Sequence, residues 1–286
     1  MSAQAPRIVV VNSLAYAEHD PEAPLVVRAL DESGVHAELQ PWDADLSWGG
    51  YDLVVVRSPW DYFTRLDEFL TWVEQVAAQT RIVNPASVIR WNSHKGYLAE
   101  MAARGVPVLP TLMLERGSSG AAERLAACGW PDVVAKPAVD GGAREALRTD
   151  PRSAEAAAHV ERLVAAGDVV VQPYAPQVEA GETSLLFFGG ELSHAVRKVP
   201  AAGDYRVQAH HGGTEHPHEP TPAELETARR AMACAPDRLT YARVDFVDVE
   251  GVPTLMELEV IEPDLFLRHD EEALGRFTAA VLTELR

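Results

Sequence analysis

Cysteine is nearly absent: Cys128 and Cys234 are the only two in 286 residues. They lie far apart in apolar or helical surroundings. That excludes a disulfide framework and a paired CxxC motif, and makes buried thiols in a reducing compartment the expectation. Basic residues are scarce beside acidic ones, 25 Lys and Arg against 43 Asp and Glu, for a formal net charge of −18. Nucleic acid and anionic membranes call for basic surface, so neither is an expected partner. No apolar run approaches the ~18 residues of a membrane span. The opening MSAQAPRIVVVNS has too short an apolar run for a signal peptide, so a cytoplasmic location is expected. Internal repeats and low-complexity tails are missing. So is a G-x-S-x-G elbow, which leaves no sign of a covalent serine mechanism.

What is present is an ordinary soluble composition, 47% hydrophobic and 24% charged. The length suggests two or three packed lobes rather than one core. Residues 7–12 form a short apolar run, read as a buried parallel strand. Asp20-Pro21 opens a helix that Gly34 stops. Strands follow at 35–40 and 52–57, then a helix at 65–79 and a strand at 81–83. This alternation predicts an α/β lobe with a parallel sheet, whose ligands bind beyond the carboxyl ends of the strands. Arg57, Ser58, Asp61 and Tyr62 lie at such an end. Arg57 is a candidate clamp for a substrate carboxylate; the alternative is a structural bridge from Arg57 to Asp61.

Further on, a helix from residue 92 to 105 carries Lys95 in its first turn. Strands are expected at 106–114 and 132–137. The second places Lys136 inside an apolar run, where it needs a partner. A glycine loop at 138–144 can bring backbone N–H groups to phosphate. A helix at 153–166, a strand at 168–172, a hinge at Pro173-Tyr174 and strands at 183–188 and 192–198 come next. Residues 204–213 form a basic-to-glycine loop. The run Glu215-His216-Pro217-His218-Glu219-Pro220 reads as a proline-fixed loop without a third spaced metal ligand. Thr221-Pro222-Ala223-Glu224 is a capping box opening a helix to about residue 233, and a last helix covers 270–286.

Residues 241–263, YARVDFVDVEGVPTLMELEVIEP, read as a hairpin turning at 248–251. Side chains alternate faces along a strand. Arg243 and Asp245 therefore share one face of the first strand, and Glu257 and Glu259 one face of the second. Met256, Leu258 and Val260 fall on the opposite, greasy side. Crowded carboxylates in a half-buried place repel unless a cation sits among them. All-oxygen ligation suits a hard ion such as Mg²⁺. A solvated strand face with an Arg–Asp pair is the competing reading.

Together these pieces resemble the ATP-grasp superfamily, the fold of D-alanine–D-alanine ligase, glutathione synthetase and the RimK-type ligases. The likeness runs by motif from Trp91 to Pro263, and in layout alone before that. It implies an α/β (α+β) fold in which a parallel N-terminal lobe, 1–90, precedes a central lid, 91–172, and a metal-bearing C-terminal lobe, 173–286. The last two would sandwich ATP. By this resemblance Lys95 and Lys136 are the nucleotide-binding lysines. Gln172, Pro173 and Tyr174 form the linker that reads the adenine edge, and Glu182 holds the ribose. Lys198 and Arg206 reach the terminal phosphates. Asp245, Glu257 and Glu259 are the metal triad for Mg²⁺, with Mn²⁺ as the alternative ion, and Arg243 stabilises the transferring phosphoryl group. Many members have Asn at the third metal position, where this chain has Glu259.

The strings RSPWDYF, NPASVIRWNSHKGYL, GETSLLFFGGELSHAVRKVP and MELEVIEPDLFL are similar to the cyclo-ligase family of cycloserine biosynthesis, which closes O-ureidoserine into a ring with loss of its carbamoyl group. The resemblance implies an ATP-dependent carboxylate-activating C–N ligase of antibiotic biosynthesis acting on a small amino acid, with a homodimer open. Intermolecular amino-acid ligation is one alternative. A nucleotide-binding regulator without catalysis is the other.

Overall fold

The computed structural model describes residues 5–286, so the first residues of the 1–90 unit and of the opening run lie outside it. The chain runs β1 (Arg7–Asn12), α1 (Ala23–Glu32), β2 (His36–Pro41), β3 (Leu53–Ser58), α2 (Leu66–Ala77), β4 (Arg81–Val83), α3 (Ala86–Asn92) and α4 (Tyr97–Ala103). It continues through β5 (Leu112–Leu114), α5 (Ala121–Ala126), β6 (Val133–Pro137), β7 (Leu147–Thr149), α6 (Ala154–Ala166) and β8 (Val169–Pro173). The last third holds β9 (Glu182–Phe188), β10 (Glu191–Val199), β11 (Thr214–Pro217), α7 (Pro222–Met232), β12 (Tyr241–Val249), β13 (Val252–Glu259) and α8 (Ala273–Thr283).

Three sheets result. The first is parallel, in the order β2-β1-β3-β4. Strands β1 and β3 are buried almost throughout, as their unbroken valine runs require when both faces are covered. The second, β5-β8-β6-β7, and the third, β11-β10-β9-β12-β13, are antiparallel. Helices α5 and α6 cover the second sheet through Leu125, Val160 and Leu163.

The third sheet divides the molecule. One of its faces, Leu185, Phe187, Ala195, Ala242, Val244, Phe246, Leu258 and Val260, packs on α4 and α7. The other face is apolar at one end and charged at the other. At the apolar end Leu186, Phe188, Val196 and Tyr241 share a core with Ile8, Val10, Leu30 and Phe277, so the N-terminal sheet and the third sheet are halves of one core. The Tyr241 hydroxyl donates to the carbonyl oxygens of Val56 and Ile261. Asn84 bonds the backbone of Thr240, Tyr241 and Val260, and Asn92 that of Leu258 and Val260. These side chains fix the N-terminal lobe against the hairpin.

Several elements differ from the sequence reading. The helix expected at 92–105 begins only at Tyr97, because residue 92 closes the preceding helix α3 and residues 93–96 link the two. His94 Nδ1 accepts the Gly96 N–H at 3.1 Å and the Lys95 N–H goes to the Ala138 carbonyl at 2.8 Å, so Lys95 sits between helices rather than in a first turn. The strand expected at 106–114 is only three residues long; Pro107 and Leu109 instead bond Leu255 at the edge of β13. Prolines at 107 and 110 have no N–H to give a ladder. The run at 215–220 begins as the edge strand β11, where Pro217 is tolerated. A bulge opposite Asp245 and Phe246 makes Met256 the extra residue of β13, so it leaves the greasy side and joins Leu109, Ala175, Val178 and Val247 on the charged sheet face.

Candidate active site

Strand alternation and register assemble the charged end of the third sheet. Glu182 and Ser184 from β9 lie beside Lys198 of β10 and Asp245 of β12. Arg243 is paired across the hairpin with Glu259, and Asp245 with Glu257. The opposite-face neighbours in between, Thr183, Val244 and Leu258, are buried, which holds the charged set on one side.

The set is knotted by ion pairs. Lys198 Nζ lies 2.5 Å from Glu182 Oε1 and 3.4 Å from Asp245 Oδ1. Arg243 Nη2 lies 2.9 Å from Asp245 Oδ2 and also contacts Glu259. The Ser184 hydroxyl donates to Asp245. Lys95 Nζ reaches Glu257 Oε1 at 2.8 Å and donates to the Asp140 carbonyl at 2.8 Å. Lys136, half-buried on β6, has no carboxylate within ion-pair distance among the described residues.

Electrostatics follow the pairing. Burial alone would raise Asp245, but Arg243 and Lys198 outweigh it and hold the carboxyl at about 2. Lys95 and Lys136 likewise hold Glu257 down against burial. Burial prevails at Glu259 despite Arg243, taking it to about 8, and at Glu262 despite Lys95, taking it to about 7. Asp140 is raised by burial to about 6. Burial pushes the Lys136 ammonium down. Carboxylates therefore outnumber cations here, and burial raises the proton affinity of the surplus, Glu259, Glu262 and Asp140.

That surplus and its all-oxygen donor chemistry fit a hard dication. Among the described residues no three such side chains stand close enough together to hold a metal, because each triad carboxylate is turned to a lysine or arginine. Ligation by Asp245, Glu257 and Glu259 requires some of those contacts to be exchanged for the ion.

Other expected residues fall in three groups. Gln172 is buried and bonds Thr111 at 3.1 Å; with Pro173 it ends β8. The Tyr174 N–H is taken by the Asp132 carbonyl at 2.9 Å, and the Arg148 guanidinium covers its ring at 3.4 Å. Its neighbours Ala175, Val178, Leu109 and Met256 form an apolar patch on the charged sheet face. Arg206 is not brought to the cluster; it is tied to Asp204 by two hydrogen bonds of 2.7 and 3.0 Å.

The third group requires correction. Arg57 is 1% exposed, with Nη2 on Glu22 at 2.6 Å and Nη1 on the Pro263 carbonyl at 2.5 Å. It is a structural pair, and its partner is Glu22, not Asp61. Asp61 instead accepts from Trp42 Nε1 at 2.8 Å and faces Arg65. Ser58 is buried at the end of β3, its carbonyl accepting from the Ser13 amide. Of these four, Tyr62 alone lies against the acidic cluster, where burial and the charges of Glu262, Glu257 and Glu259 hold its hydroxyl proton. Glu262 and Glu22 are the site and support residues that sequence reasoning missed. Glu262 lies inside the quoted string MELEVIEPDLFL, but three residues past Glu259 it falls outside strand alternation.

Residues 8–84 match the family profile described as the N-terminal domain of D-cycloserine synthetase DcsG, and residues 122–267 match that of the ATP-grasp domain of prokaryotic glutathione synthetase. The cycloserine biosynthesis protein DcsG of Streptomyces lavendulae is 34% identical over 283 residues, covering 93% of this chain and 95% of that protein. A crystal structure of D-cycloserine synthetase DcsG superposes with a TM-score of 0.89 at 31% identity, covering 98% of this chain and 100% of the other. The ATP-grasp ligase PsnB, solved with a minimal precursor variant, Mg and ADP, shares the fold at a TM-score of 0.68 and 18% identity, covering 98% of each chain. With its parallel sheet, two antiparallel sheets and full-length likeness to that synthetase, the chain belongs to the ATP-grasp C–N ligases as a homologue of DcsG.

Proposed function

We propose that this protein activates the carboxylate of a small, O-ureidoserine-like amino acid with ATP and closes a ring through a nitrogen of the same molecule. The observation that carries the reading is the likeness to DcsG along nearly the whole chain, in both sequence and structure. The charged sheet face supplies the chemistry.

In this reading residues 1–90 form the substrate lobe, 91–172 the lid and 173–286 the metal-bearing lobe. Lys95, Lys136 and Lys198 bind phosphate oxygens and place fixed positive charge where negative charge grows. Lys136 suits this role because its ammonium has no carboxylate within ion-pair distance among the described residues. Gln172, Pro173 and Tyr174, with the apolar patch beside them, border the adenine, and Glu182 takes the ribose hydroxyls. Asp245, Glu257 and Glu259 hold Mg²⁺ or Mn²⁺. When bound, the dication neutralises phosphate charge during phosphoryl transfer. Arg243 steadies the phosphoryl group and the intermediate. Arg206, the other phosphate candidate, joins the phosphate-binding lysines only by leaving its pair with Asp204.

The substrate carboxylate takes the γ-phosphoryl group, giving an acyl phosphate and ADP. The nitrogen then forms a bond to the carbonyl carbon, the C–O bond to phosphate breaks, and inorganic phosphate leaves. A nucleophile in the same molecule has a high effective concentration, which favours closure. The need for ATP puts the reaction in the cytoplasm.

The test is ADP release against a panel of serine-derived and other amino acids, with mass spectrometry of the product. One amino acid and a cyclic product are expected. A requirement for two amino acids and a linear amide would replace the cyclase with an intermolecular ligase. No ADP release with any acid would favour a nucleotide-binding regulator.

A further inference from the structure

Among the acidic groups around the site, Glu262 stands apart by its partners. Asp245, Glu257, Glu259 and Glu182 are each in contact with a lysine or arginine. Glu262 has no cation within ion-pair distance among the described residues, and the neutral Tyr62 hydroxyl is the side chain that the acidic cluster places beside it. It also faces a different way. β13 ends at Glu259, and the chain then turns toward the N-terminal lobe. Trp60 Nε1 fixes that turn by donating to the Glu262 carbonyl oxygen at 3.0 Å. The next residue on the charged face by alternation would be Ile261, which is buried in the N-terminal core instead.

The walls of this spot come from all three sheets' neighbourhoods. Tyr62 follows β3, and Gly141 belongs to the loop after β6. A Cβ placed on Gly141 would lie 3.4 Å from the Phe63 ring and 3.8 Å from Glu262 Oε1. The carboxylate thus looks into the seam between lid loop and N-terminal lobe, at the border of the metal face.

We propose that Glu262 receives the α-ammonium group of the amino-acid substrate. The proposal rests on the carboxylate-activation reading above. An α-amino acid carries its ammonium one carbon from its carboxylate. If that carboxylate is activated beside Glu257 and Glu259, the ammonium falls a few ångström away, and three residues of chain span at most about 11 Å. A half-buried carboxyl group with no paired cation is where a substrate ammonium gains most, and Trp60 has already fixed the Glu262 backbone in place. Contact with a carboxylate also favours the charged form of an amine. The α-nitrogen is then kept from attacking, and the acyl phosphate is left to the other nitrogen of the molecule.

The competing role for Glu262 is metal ligation, and the two make different predictions. Steady-state ADP release is measured for the wild-type chain, Glu262→Gln and Glu262→Asp. The substrates are O-ureidoserine, or the α-amino acid the wild type turns over best, and the matching acid lacking the amino group, for O-ureidoserine 3-(ureidooxy)propanoate. Glu262→Gln is expected to raise KM for the amino acid about 10- to 100-fold. The KM for ATP and the Mg²⁺ concentration dependence stay within about threefold, which also reports a folded site. The wild-type preference for the amino acid over the desamino acid disappears, and Glu262→Asp, which keeps the charge, restores part of it. An unchanged preference in Glu262→Gln, or a shifted Mg²⁺ dependence, overturns the proposal alone. A wild-type chain inactive with every amino acid overturns the carboxylate-activation reading and this proposal with it.

Discussion

Lys95 Nζ and Glu257 Oε1 lie 2.8 Å apart, a pair formed between the loop joining α3 to α4 and the last strand of the third sheet. Each group is assigned a different ligand in the proposed reaction, phosphate for the lysine and metal for the glutamate. The pair therefore couples nucleotide binding to metal binding. Glu257→Gln is expected to lower ADP release by two or more orders of magnitude, the size of a lost major electrostatic contribution. ADP production comparable to wild type would contradict the metal assignment.

Lys136 offers a separate test. Its ammonium is half-buried without a carboxylate, and burial pushes its proton affinity down. Lys136→Met should leave the melting temperature unchanged or raise it, since burial outweighs the distant carboxylates that act on this ammonium. At the same time KM for ATP should rise about 10- to 100-fold. A variant that melts lower with ATP affinity intact would mark Lys136 as structural.

Arg57 should behave in the opposite way. Its pair with Glu22 is buried, and Glu22 also accepts the Leu265 and Leu267 amides that shape the turn beyond the hairpin. Arg57→Met leaves the buried Glu22 carboxylate with only the more distant Arg268, 3.8 Å away, at a cost of about 3 kcal/mol. Denaturant melts should register that loss, and Glu22→Gln should produce a similar one. A stable Arg57→Met chain with a raised KM for the amino acid alone would restore the carboxylate clamp.

The pH dependence has a definite sign. Glu259 at about 8 and Glu262 at about 7 are both raised above their ordinary value of 4.5, so the folded chain holds protons that the unfolded chain has released. Stability from these groups is present in full below about pH 4.5 and is lost as pH rises through 7 and 8. His194, lowered by burial, acts in the opposite sense only up to its ordinary value of 6.5, and Lys136, also lowered by burial, opposes the fall up to its ordinary value of 10.5. In EDTA, melting temperatures should therefore fall between pH 7 and 8.5, by roughly 2–4 °C. Mg²⁺ with nucleotide should flatten that slope and release protons at pH 7, because metal binds the ionised carboxylates. Differential scanning calorimetry and a pH-indicator titration give the two readouts.

The hairpin shows how far a sequence can be read. Alternation alone put Arg243, Asp245, Glu257 and Glu259 on one face, and the observed register pairs Arg243 with Glu259 and Asp245 with Glu257. The same rule misplaced Met256, because a bulge adds one residue to a strand without leaving a mark in its composition. Strands β1, β4 and β6 and the capping box at Thr221 were legible for the same local reasons: apolar runs and caps are set by near neighbours. Order and spacing of lysines and carboxylates also carried the likeness to the ATP-grasp ligases.

What the sequence determined by itself is everything that depends on short-range periodicity: the elements, the acidic face and the ligand types it presents. Tertiary structure alone decided which charges meet. Glu22 finds Arg57 across 35 residues and Lys95 finds Glu257 across 162, while Arg206 is captured by a neighbour two residues away. From its strand end Arg57 reads as a clamp for a substrate carboxylate, and by resemblance Lys95 reads as a phosphate ligand. One is sealed in the core and the other opens on the charged sheet face, because burial depends on what the rest of the chain packs against, and no local pattern encodes that.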